Sequence, residues 1–318
     1  MSYFDHQVHS PVLDKCGKPA KLYVVAPIIN AARYKARYNL FRHFEEYINK
    51  SDAILYKVEV AYGSRPFLHT SPDDPRSIQL RTNDELWHKE NMLNIGISRL
   101  PVDSEYVAWI DTDVTFARPD WVNEAIHQLQ HYDFVQMFSI ANDLDHNHHV
   151  MGTSKGFMYS YVQHLDTGID YGYWHSGFAW CARKDALSKV GGLIDYCIVG
   201  SADYHMAWAL IGQIEKTLSK QLSQDYKDKL MYWQELAEKY IKRNVGYMSG
   251  TLNHGFHGKK IKRGYQTRYK ILTENNYEPS YDLKKDWSGL YTFASDKIKL
   301  RDQLRSYFRS RSEDGLNE

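Results

Sequence analysis

Residues 106–116 read YVAWIDTDVTF, and this stretch decides the expected fold. Its apolar half predicts a buried strand, and two carboxylates, Asp111 and Asp113, stand where that strand ends. Side chains two positions apart in an extended strand face the same side, so the two carboxylates can converge. Converging anions repel each other unless a cation lies between them, and Mg²⁺ or Mn²⁺ takes a few carboxylates while keeping positions for phosphates. The stretch predicts a metal–diphosphate site, with a solvated acidic turn as the alternative.

Strand and helix patterns alternate before this stretch. Residues 21–29 (KLYVVAPII) predict a buried first strand that ends at Pro27, and residues 53–61 (AILYKVEVA) predict a second strand. Apolar residues at helical spacing predict helices over 33–50 and 83–100. This β-α-β-α-β order predicts a parallel sheet with helices on both faces. Ligands of such sheets bind beyond the carboxyl ends of the strands, which is where the acidic pair stands.

The second half of the chain contains weaker patterns. Strands are predicted over 133–139 and 174–182, with a long polar loop over 142–161 between them. Residues 214–243 are polar and strongly helical, and the tail from residue 301 predicts a terminal helix. These patterns extend the α/β architecture toward the carboxyl terminus.

Composition excludes several classes of protein. The chain has 318 residues, of which 43% are apolar and 25% charged, as in ordinary soluble domains. A net charge of +1 gives no overall attraction to nucleic acid or anionic membrane. The three cysteines lack metal-like spacing, and neither a signal pattern nor an apolar run of transmembrane length is present. We therefore expect a cytosolic protein without disulfides or membrane insertion; the sequence does not indicate its oligomeric state.

Three later segments contain polar groups that an acidic metal site needs. Asp203 precedes a predicted helix and is either a helix cap or a base that takes a proton from a hydroxyl. Residues 253–258 (NHGFHG) place two histidines among glycines, which suggests a metal ligand with backbone packed close by. Residues 251–272 contain six basic residues and no acidic ones, so they form either a solvated face or a phosphate clamp.

Taken in order, these segments resemble nucleotide-sugar glycosyltransferases of the GT-A fold. The resemblance covers roughly residues 21–270 and is greatest to glycosyltransferase-like proteins of bacteriophages and large DNA viruses. It rests on LRTNDELWHKENMLNIGISRLP, YVAWIDTDVTFARPDW, HSGFAWCARKDAL and HGFHGKKIKRGYQTR. The resemblance implies an α/β fold with a Rossmann-like, mixed, mostly parallel central sheet flanked by helices, followed by a helical C-terminal extension.

The resemblance also implies a domain organisation. Residues 1–270 would form the transferase domain, with a nucleotide-binding half over 20–140 and an acceptor-binding, catalytic half over 141–270. A helical insertion would occupy about 205–243, and residues 271–318 would form the extension.

Roles for individual residues follow from the same resemblance. The metal ligands would be Asp111, Asp113 and His257, with His254 as the reserve for His257. Asp203 would be the catalytic base of an inverting reaction. The family more often has Glu-Asp where this chain has Ala-Asp, so the stereochemical outcome stays open. The expected acceptor-binding residues are Trp174, His175 and Gly177. The expected donor-binding residues are Pro27, Arg33, Glu59, Arg65, Lys89, Asp111, Lys259 and Arg263, although Lys89 fits a solvated helical lysine equally well.

The implied activity is metal-dependent transfer of a sugar from a nucleotide-diphosphate sugar, most simply a UDP-sugar, with Mn²⁺ or Mg²⁺. The acceptor is either a hydroxymethylated base of phage DNA, in the host cytoplasm, or a hydroxyl of a glycan or protein. The alternative from a different class of function is a sugar-binding module that has no catalytic activity. A nucleotidyltransferase is disfavoured because residues 27–37 (PIINAARYKAR) lack the glycines of its phosphate loop.

Overall fold

A seven-stranded sheet forms the centre of the protein, seen in a computed structural model that describes residues 12–14, 17–165, 175–265 and 267–315. In spatial order the strands are β10 (Val245–Tyr247), β6 (Phe134–Gln136), β9 (Ala179–Arg183), β4 (Tyr106–Ile110), β1 (Leu22–Ile28), β2 (Ile54–Tyr62) and β3 (Ser77–Thr82), numbered along the chain. Neighbouring strands are parallel except where β9 pairs with β4 and β6. The predicted mixed, mostly parallel sheet is confirmed.

Helices cover both faces of this sheet, and strand β1 is buried on both sides. Alternate residues of β1 face opposite layers, as the period of a strand requires. Leu22 and Val24 pack in the layer formed by helices α1 (Lys35–Ile48) and α3 (Trp121–Gln128). Tyr23 and Val25 pack in the other layer, which contains helix α2 (Lys89–Ser98). The remaining helices are α4 (Phe157–Val162), α5 (Lys184–Lys189), α6 (Ala202–Leu210), α7 (Gln224–Tyr240), α8 (Tyr269–Glu274), α9 (Pro279–Asp282) and α10 (Ile298–Ser310).

A second sheet of four strands lies at the edge where the acidic stretch ends. Its order is β5 (Val114–Phe116), β11 (Thr251–His254), β7 (Ile140–Leu144) and β8 (Val150–Lys155). The predicted loop over 142–161 is therefore wrong, because this range holds most of β7, all of β8 and helix α4. Most of β8 is exposed, so its sequence lacks the alternation of apolar and polar residues by which a strand is recognised. A third, two-stranded sheet pairs β12 (Leu283–Lys285) with β13 (Tyr291–Phe293).

Two predicted helices begin later than their patterns indicated. The helix expected over 83–100 begins at Lys89. The stretch 214–243 is divided into a 3₁₀ turn over 214–217 and helix α7. The Ser223 hydroxyl starts α7 by accepting a hydrogen bond from the Tyr226 amide at 3.3 Å, which satisfies one of the unpaired amides of the first turn. The terminal helix, α10, begins slightly before residue 301.

Two tryptophans and two cysteines of the described residues are buried. Trp109 and Trp180 belong to the core and are almost fully buried. Cys181 and Cys197 are buried free thiols. Among the helices of the described ranges, none is long and apolar enough to cross a bilayer.

Candidate metal centre and donor site

Asp113, His254 and His257 converge on one point at the carboxyl edge of the central sheet. His257 Nε2 lies 3.0 Å from Asp113 Oδ2, and His254 Nε2 lies 3.8 Å from the same oxygen. The two Nε2 atoms are 3.3 Å apart. Both histidines are 3% exposed. One carboxylate oxygen and two imidazole nitrogens therefore lie close enough together to share a cation.

The second sheet is what brings these residues together. Strand β11 pairs antiparallel with β5, which places His254 opposite Val114. Beyond that pair, the amide of Gly255 donates to the carbonyl of Asp113 at 2.7 Å. On its other side β11 pairs parallel with β7, which places His254 opposite Asp143. The register of three short strands thus fixes the positions of Asp113 and His254.

Electrostatics and burial favour the cation-binding forms of Asp113 and His254. Burial alone would raise the pKa of Asp113, but His254, His257 and Arg37 hold it well below its usual range. Burial lowers the pKa of His254, against the opposing effect of Asp113 and Asp143. A charged carboxylate and a neutral imidazole are the ligating states of these groups.

The residues present fit a divalent ion. Asp113 Oδ1 is buried and has no hydrogen-bond partner among the described residues. A buried carboxylate oxygen left unpaired is costly, and a bound cation would satisfy it. Imidazole ligands beside a carboxylate favour Mn²⁺ over Mg²⁺, and the same set also binds Zn²⁺ or Fe²⁺.

Asp111 lies outside this group of three. Strand β4 ends at Ile110 and residues 112–113 form a turn, so the two aspartates do not follow an extended strand. Asp111 forms an ion pair with Lys89 at the start of α2, and its amide donates to the carbonyl of Phe178 at 2.7 Å. Burial raises the pKa of Asp111, as does Asp113, while Lys89 opposes this. A metal role for Asp111 stays a prediction, and Lys89 is a buried ion-pair partner of the site.

Asp203 lies against the predicted acceptor residues. It stands in the first turn of α6, where its Oδ1 accepts a hydrogen bond from the Tyr204 amide at 2.9 Å. A Cβ added at Gly177 would collide with Asp203 Oδ2 and lie 3.2 Å from His175 Cε1. Burial lowers the pKa of His175 to about 4. Asp203, His175 and Gly177 thus form one patch, and Trp174 lies outside the described residues.

Phe178 links this patch to the metal cluster, and sequence reasoning missed it. Its ring stacks on His175 with centroids 3.7 Å apart and lies 4.7 Å from His254. Its backbone has φ of +73°, a left-handed conformation that is unfavourable for a bulky residue. Such conformations cost about 1–3 kcal/mol and concentrate at functional sites. A single sequence contains no signal for this conformation.

Two arginines of the basic segment, Arg263 and Arg268, are buried rather than facing solvent, and Arg263 lies against His257. Arg263 donates from Nη2 to His257 Nε2 at 3.1 Å, and Arg268 donates to the Ser201 hydroxyl. The Nε atom of each is buried without a hydrogen-bond partner among the described residues. Within the same residues neither guanidinium pairs with a carboxylate, whereas Lys260 pairs with Asp143 and Lys259 is exposed. Arg268 belongs to the basic segment but is not among the predicted site residues. It adds to the buried positive charge of Arg263.

The other predicted donor residues surround the ends of β1 and β2. Pro27 is buried within β1, and Arg33 is exposed with φ of +62°. Arg65 Nη1 donates to the carbonyl of Ala31 at 2.9 Å. Glu59 accepts hydrogen bonds from the amides of Leu68 and His69 and from the Thr70 hydroxyl. Both of its carboxylate oxygens therefore hold the loop after β2.

A small recess opens between these strand ends and the C-terminal segment. Tyr34, Arg37 and Trp87 form part of its wall, and Arg311 and Glu313 contribute from the residues after α10. The Arg311 guanidinium lies 5.1 Å from the centre of the Trp87 ring. The wall combines aromatic surface with charge, but the accessible space of about 30 Å³ is far below the size of a small-molecule site.

Comparison with known proteins gives a distant structural likeness. No protein-family model matches the chain, and no curated protein matches its sequence. A mutant of Drosophila β1,4-galactosyltransferase 7 in complex with manganese, UDP-Gal and xylobiose is similar over 90% of this chain and 99% of that chain, with 9% identity and a TM-score of 0.42. A Staphylococcus aureus TarS fragment with UDP-GlcNAc is similar over 91% of this chain and 72% of that chain, with 12% identity and a TM-score of 0.40. At this low identity and TM-score, the likeness does not establish an activity for this chain.

Proposed function

We propose that this protein is a metal-dependent glycosyltransferase that moves a sugar from a nucleotide-diphosphate sugar to an acceptor hydroxyl. The observation that carries the proposal is the convergence of Asp113, His254 and His257 beside the buried Arg263. Within the part of the chain that the structure describes, neither Arg263 nor the buried Arg268 has a carboxylate partner. Buried guanidiniums without anions are costly unless a ligand supplies the anion. A diphosphate next to a divalent ion satisfies both groups at once.

Each part of the donor has residues to receive it. Asp113, His254 and His257 would hold the metal, which would stabilise the negative charge on the leaving nucleoside diphosphate. Arg263 and Arg268 donate to phosphate oxygens, because a planar guanidinium matches their geometry. Asp111, held by Lys89, accepts hydrogen bonds from donor hydroxyls. The nucleoside is proposed to lie beside the ends of β1 and β2, where the ring of Trp87 offers aromatic surface. A UDP-sugar is the proposed donor and Mn²⁺ the proposed ion.

The acceptor side of the site lies across Gly177. Asp203 takes the proton of the acceptor hydroxyl as its oxygen attacks the anomeric carbon and the bond to the nucleoside diphosphate breaks. The absence of a side chain at Gly177 lets Asp203 and His175 lie close together on the acceptor side. Attack from the face opposite the leaving group makes the proposed reaction inverting.

A sugar or protein hydroxyl is favoured over a DNA base as the acceptor. The basic segment has its arginines buried toward the site, and Lys260 is paired with Asp143. Lys259, Lys260 and Lys270 remain exposed, but the net charge of +1 gives no overall attraction to a duplex, and DNA binding depends on neutralising phosphates. A salt titration tests this choice: steep loss of retention on DNA with rising salt would favour the hydroxymethylated base instead.

The function is tested by a donor screen that detects released nucleoside diphosphate with and without Mn²⁺. We expect release from one sugar nucleotide, dependent on the ion, and faster release when the acceptor is present. Asp203→Asn is expected to lower transfer by about 10²–10⁴-fold, the usual contribution of a general base, while donor binding persists. Donor binding without release, and without metal dependence, would identify a sugar-binding module and contradict the proposed activity.

A further inference from the structure

We propose that Asp143 and Glu313 are positioning residues that fix the two histidines of the metal centre. Each carboxylate lies on the Nδ1 side of one imidazole, so that both Nε2 atoms face Asp113. Glu313 belongs to the last described residues of the chain, so the C-terminal segment completes the metal centre. This inference rests on the proposed function, because it assigns partners to the same metal ligands.

The first half of the arrangement is the pair formed by Asp143 and His254. His254 Nδ1 lies 3.0 Å from Asp143 Oδ1, and Asp143 is 8% exposed. The two residues are register partners in β7 and β11, so the pair is set by the sheet. The other carboxylate oxygen is engaged by Lys260. A carboxylate that accepts the Nδ1 proton leaves the Nε2 lone pair free for a metal.

The second half involves Glu313 and His257. Glu313 Oε2 lies 3.4 Å from His257 Nδ1, and Glu313 is 2% exposed. Both atoms are buried, and neither has a hydrogen bond of normal geometry among the described residues. Arg37 and Arg311 form ion pairs with the same carboxylate. These two pairs hold the carboxylate beside the imidazole.

The turn after His257 is shaped to admit the C-terminal segment. Gly258 has φ of +82°, a conformation that glycine adopts without strain. A Cβ at this position would lie 2.9 Å from the Ser312 carbonyl oxygen and 3.0 Å from Glu313 Cα. The backbone at 312–313 thus lies directly against the backbone that follows the ligand. Close packing at this point brings Glu313 within reach of His257.

Glu313 is not needed as an anchor for the C-terminal segment, because that segment has another anchor. Asp314 accepts hydrogen bonds from the amides of Lys35 at 2.9 Å and Ala36 at 2.7 Å, at the start of α1. The Tyr34 hydroxyl also donates to the carbonyls of Phe308 and Arg309. Because the segment is fastened independently of His257, Asp314→Asn loosens the tail without removing the carboxylate beside the imidazole. This variant is the matched control.

The affinity for Mn²⁺ distinguishes a positioning role from an anchoring role. It is measured from the free-ion signal in electron paramagnetic resonance. Glu313→Gln and Asp143→Asn are each expected to weaken Mn²⁺ binding by about 10–100-fold, as losses of such partners usually do. In Glu313→Gln, Arg37 and Arg311 attract the new amide oxygen, and in Asp143→Asn Lys260 does so. In both variants the N–H₂ group of the amide then faces the imidazole Nδ1. Asp314→Asn is expected to stay within about 2-fold of the wild type.

A measurement on the unmodified protein keeps the inference testable if a variant does not fold. Nitrogen-15 chemical shifts of the metal-free wild type are expected to place the proton of both imidazoles on Nδ1. Protons on Nε2 would overturn the inference, as would unchanged Mn²⁺ affinity in both folded variants. A wild type that binds no Mn²⁺ would instead contradict the proposed metal centre itself.

Discussion

His257 Nε2 lies 3.0 Å from Asp113 Oδ2, although 144 residues separate the two along the chain. Asp113 follows the central strand β4, whereas His257 follows β11 of the second sheet. The metal centre lies where the seven-stranded and four-stranded sheets meet, and it takes residues from the ends of strands in both. The proposed chemistry therefore depends on the register between β5, β11 and β7 as much as on the ligands themselves.

Gly177 is expected to be essential for transfer. Gly177→Ala adds a methyl group that collides with Asp203 Oδ2 and approaches His175 Cε1, so Asp203 has to move. We predict a loss of transfer rate of about 10²-fold or more, within the usual contribution of a general base, with donor affinity nearly unchanged. Gly152→Ala is the control, because a Cβ there meets open space. Equal rates for both variants would contradict the placement of Asp203.

The ion pair between Lys89 and Asp111 is expected to contribute to stability. Their side chains are 15% and 27% exposed, so Lys89→Met leaves a largely buried carboxylate unpaired. We predict a loss of about 2–3 kcal/mol in the free energy of unfolding, somewhat less than for a fully buried pair. Adding Asp111→Asn is expected to restore part of it.

Urea unfolding without divalent ions measures this effect. Lys189→Met is the control, because its pair with Asp185 has side chains that are 52% and 55% exposed. Such surface pairs contribute at most about 1 kcal/mol. A Lys89→Met variant that loses no more than this control would show that Asp111 does not depend on Lys89.

His88 is expected to make stability fall in acid. It is 1% exposed, and burial lowers its pKa from 6.5 to about 4. Below pH 6.5 the unfolded chain therefore binds a proton that the folded protein does not, so stability decreases as pH falls toward 4. The full effect is up to about 3 kcal/mol, at about 1.4 kcal/mol for each pKa unit.

His88→Gln is predicted to flatten this dependence between pH 7 and 4.5, because the amide cannot titrate and can still donate to the Tyr291 carbonyl that His88 contacts. Urea unfolding at several pH values measures the slope. The exposed His127 supplies the control variant, His127→Gln, for which we expect the wild-type slope. An unchanged slope in His88→Gln would mean that His88 is not held neutral by the fold.

Glu90 is expected to act in the opposite direction. Burial, with Asp203 and Asp111, raises its pKa to about 8 although Lys89 opposes the shift. The folded protein then holds a proton that the unfolded chain releases above pH 4.5, so this residue costs stability as pH rises toward 8. Glu90→Gln mimics the protonated acid. We predict that it is more stable than the wild type, by a margin that grows from pH 5 to pH 8 and is measured as the melting temperature. A margin independent of pH would contradict this.

The central elements could be predicted because their signals are local. Apolar runs identified β1, β2 and β4, and the acidic residues after β4 pointed to the correct edge of the sheet. The direction of Asp111 could not be predicted, because it depends on β4 ending at Ile110 rather than continuing. Strand β8 could not be recognised either, because its exposed residues lack an apolar face.

Contacts between distant segments were also beyond local patterns. Glu313 reaches His257 from the end of the chain, and nothing near either residue indicates the pairing. The left-handed backbone of Phe178 likewise follows from what surrounds it. Both cases depend on the assembled sheets, so a single sequence contains no trace of them.

The most direct test of the proposed centre is anomalous diffraction at the manganese edge from crystals grown with Mn²⁺ and UDP. The account predicts one strong peak within coordination distance of Asp113 and the Nε2 atoms of His254 and His257, with the diphosphate on the side of Arg263. Asp113→Ala crystals are expected to lack that peak. A manganese ion bound elsewhere, or a diphosphate held without any ion at these residues, would contradict the account.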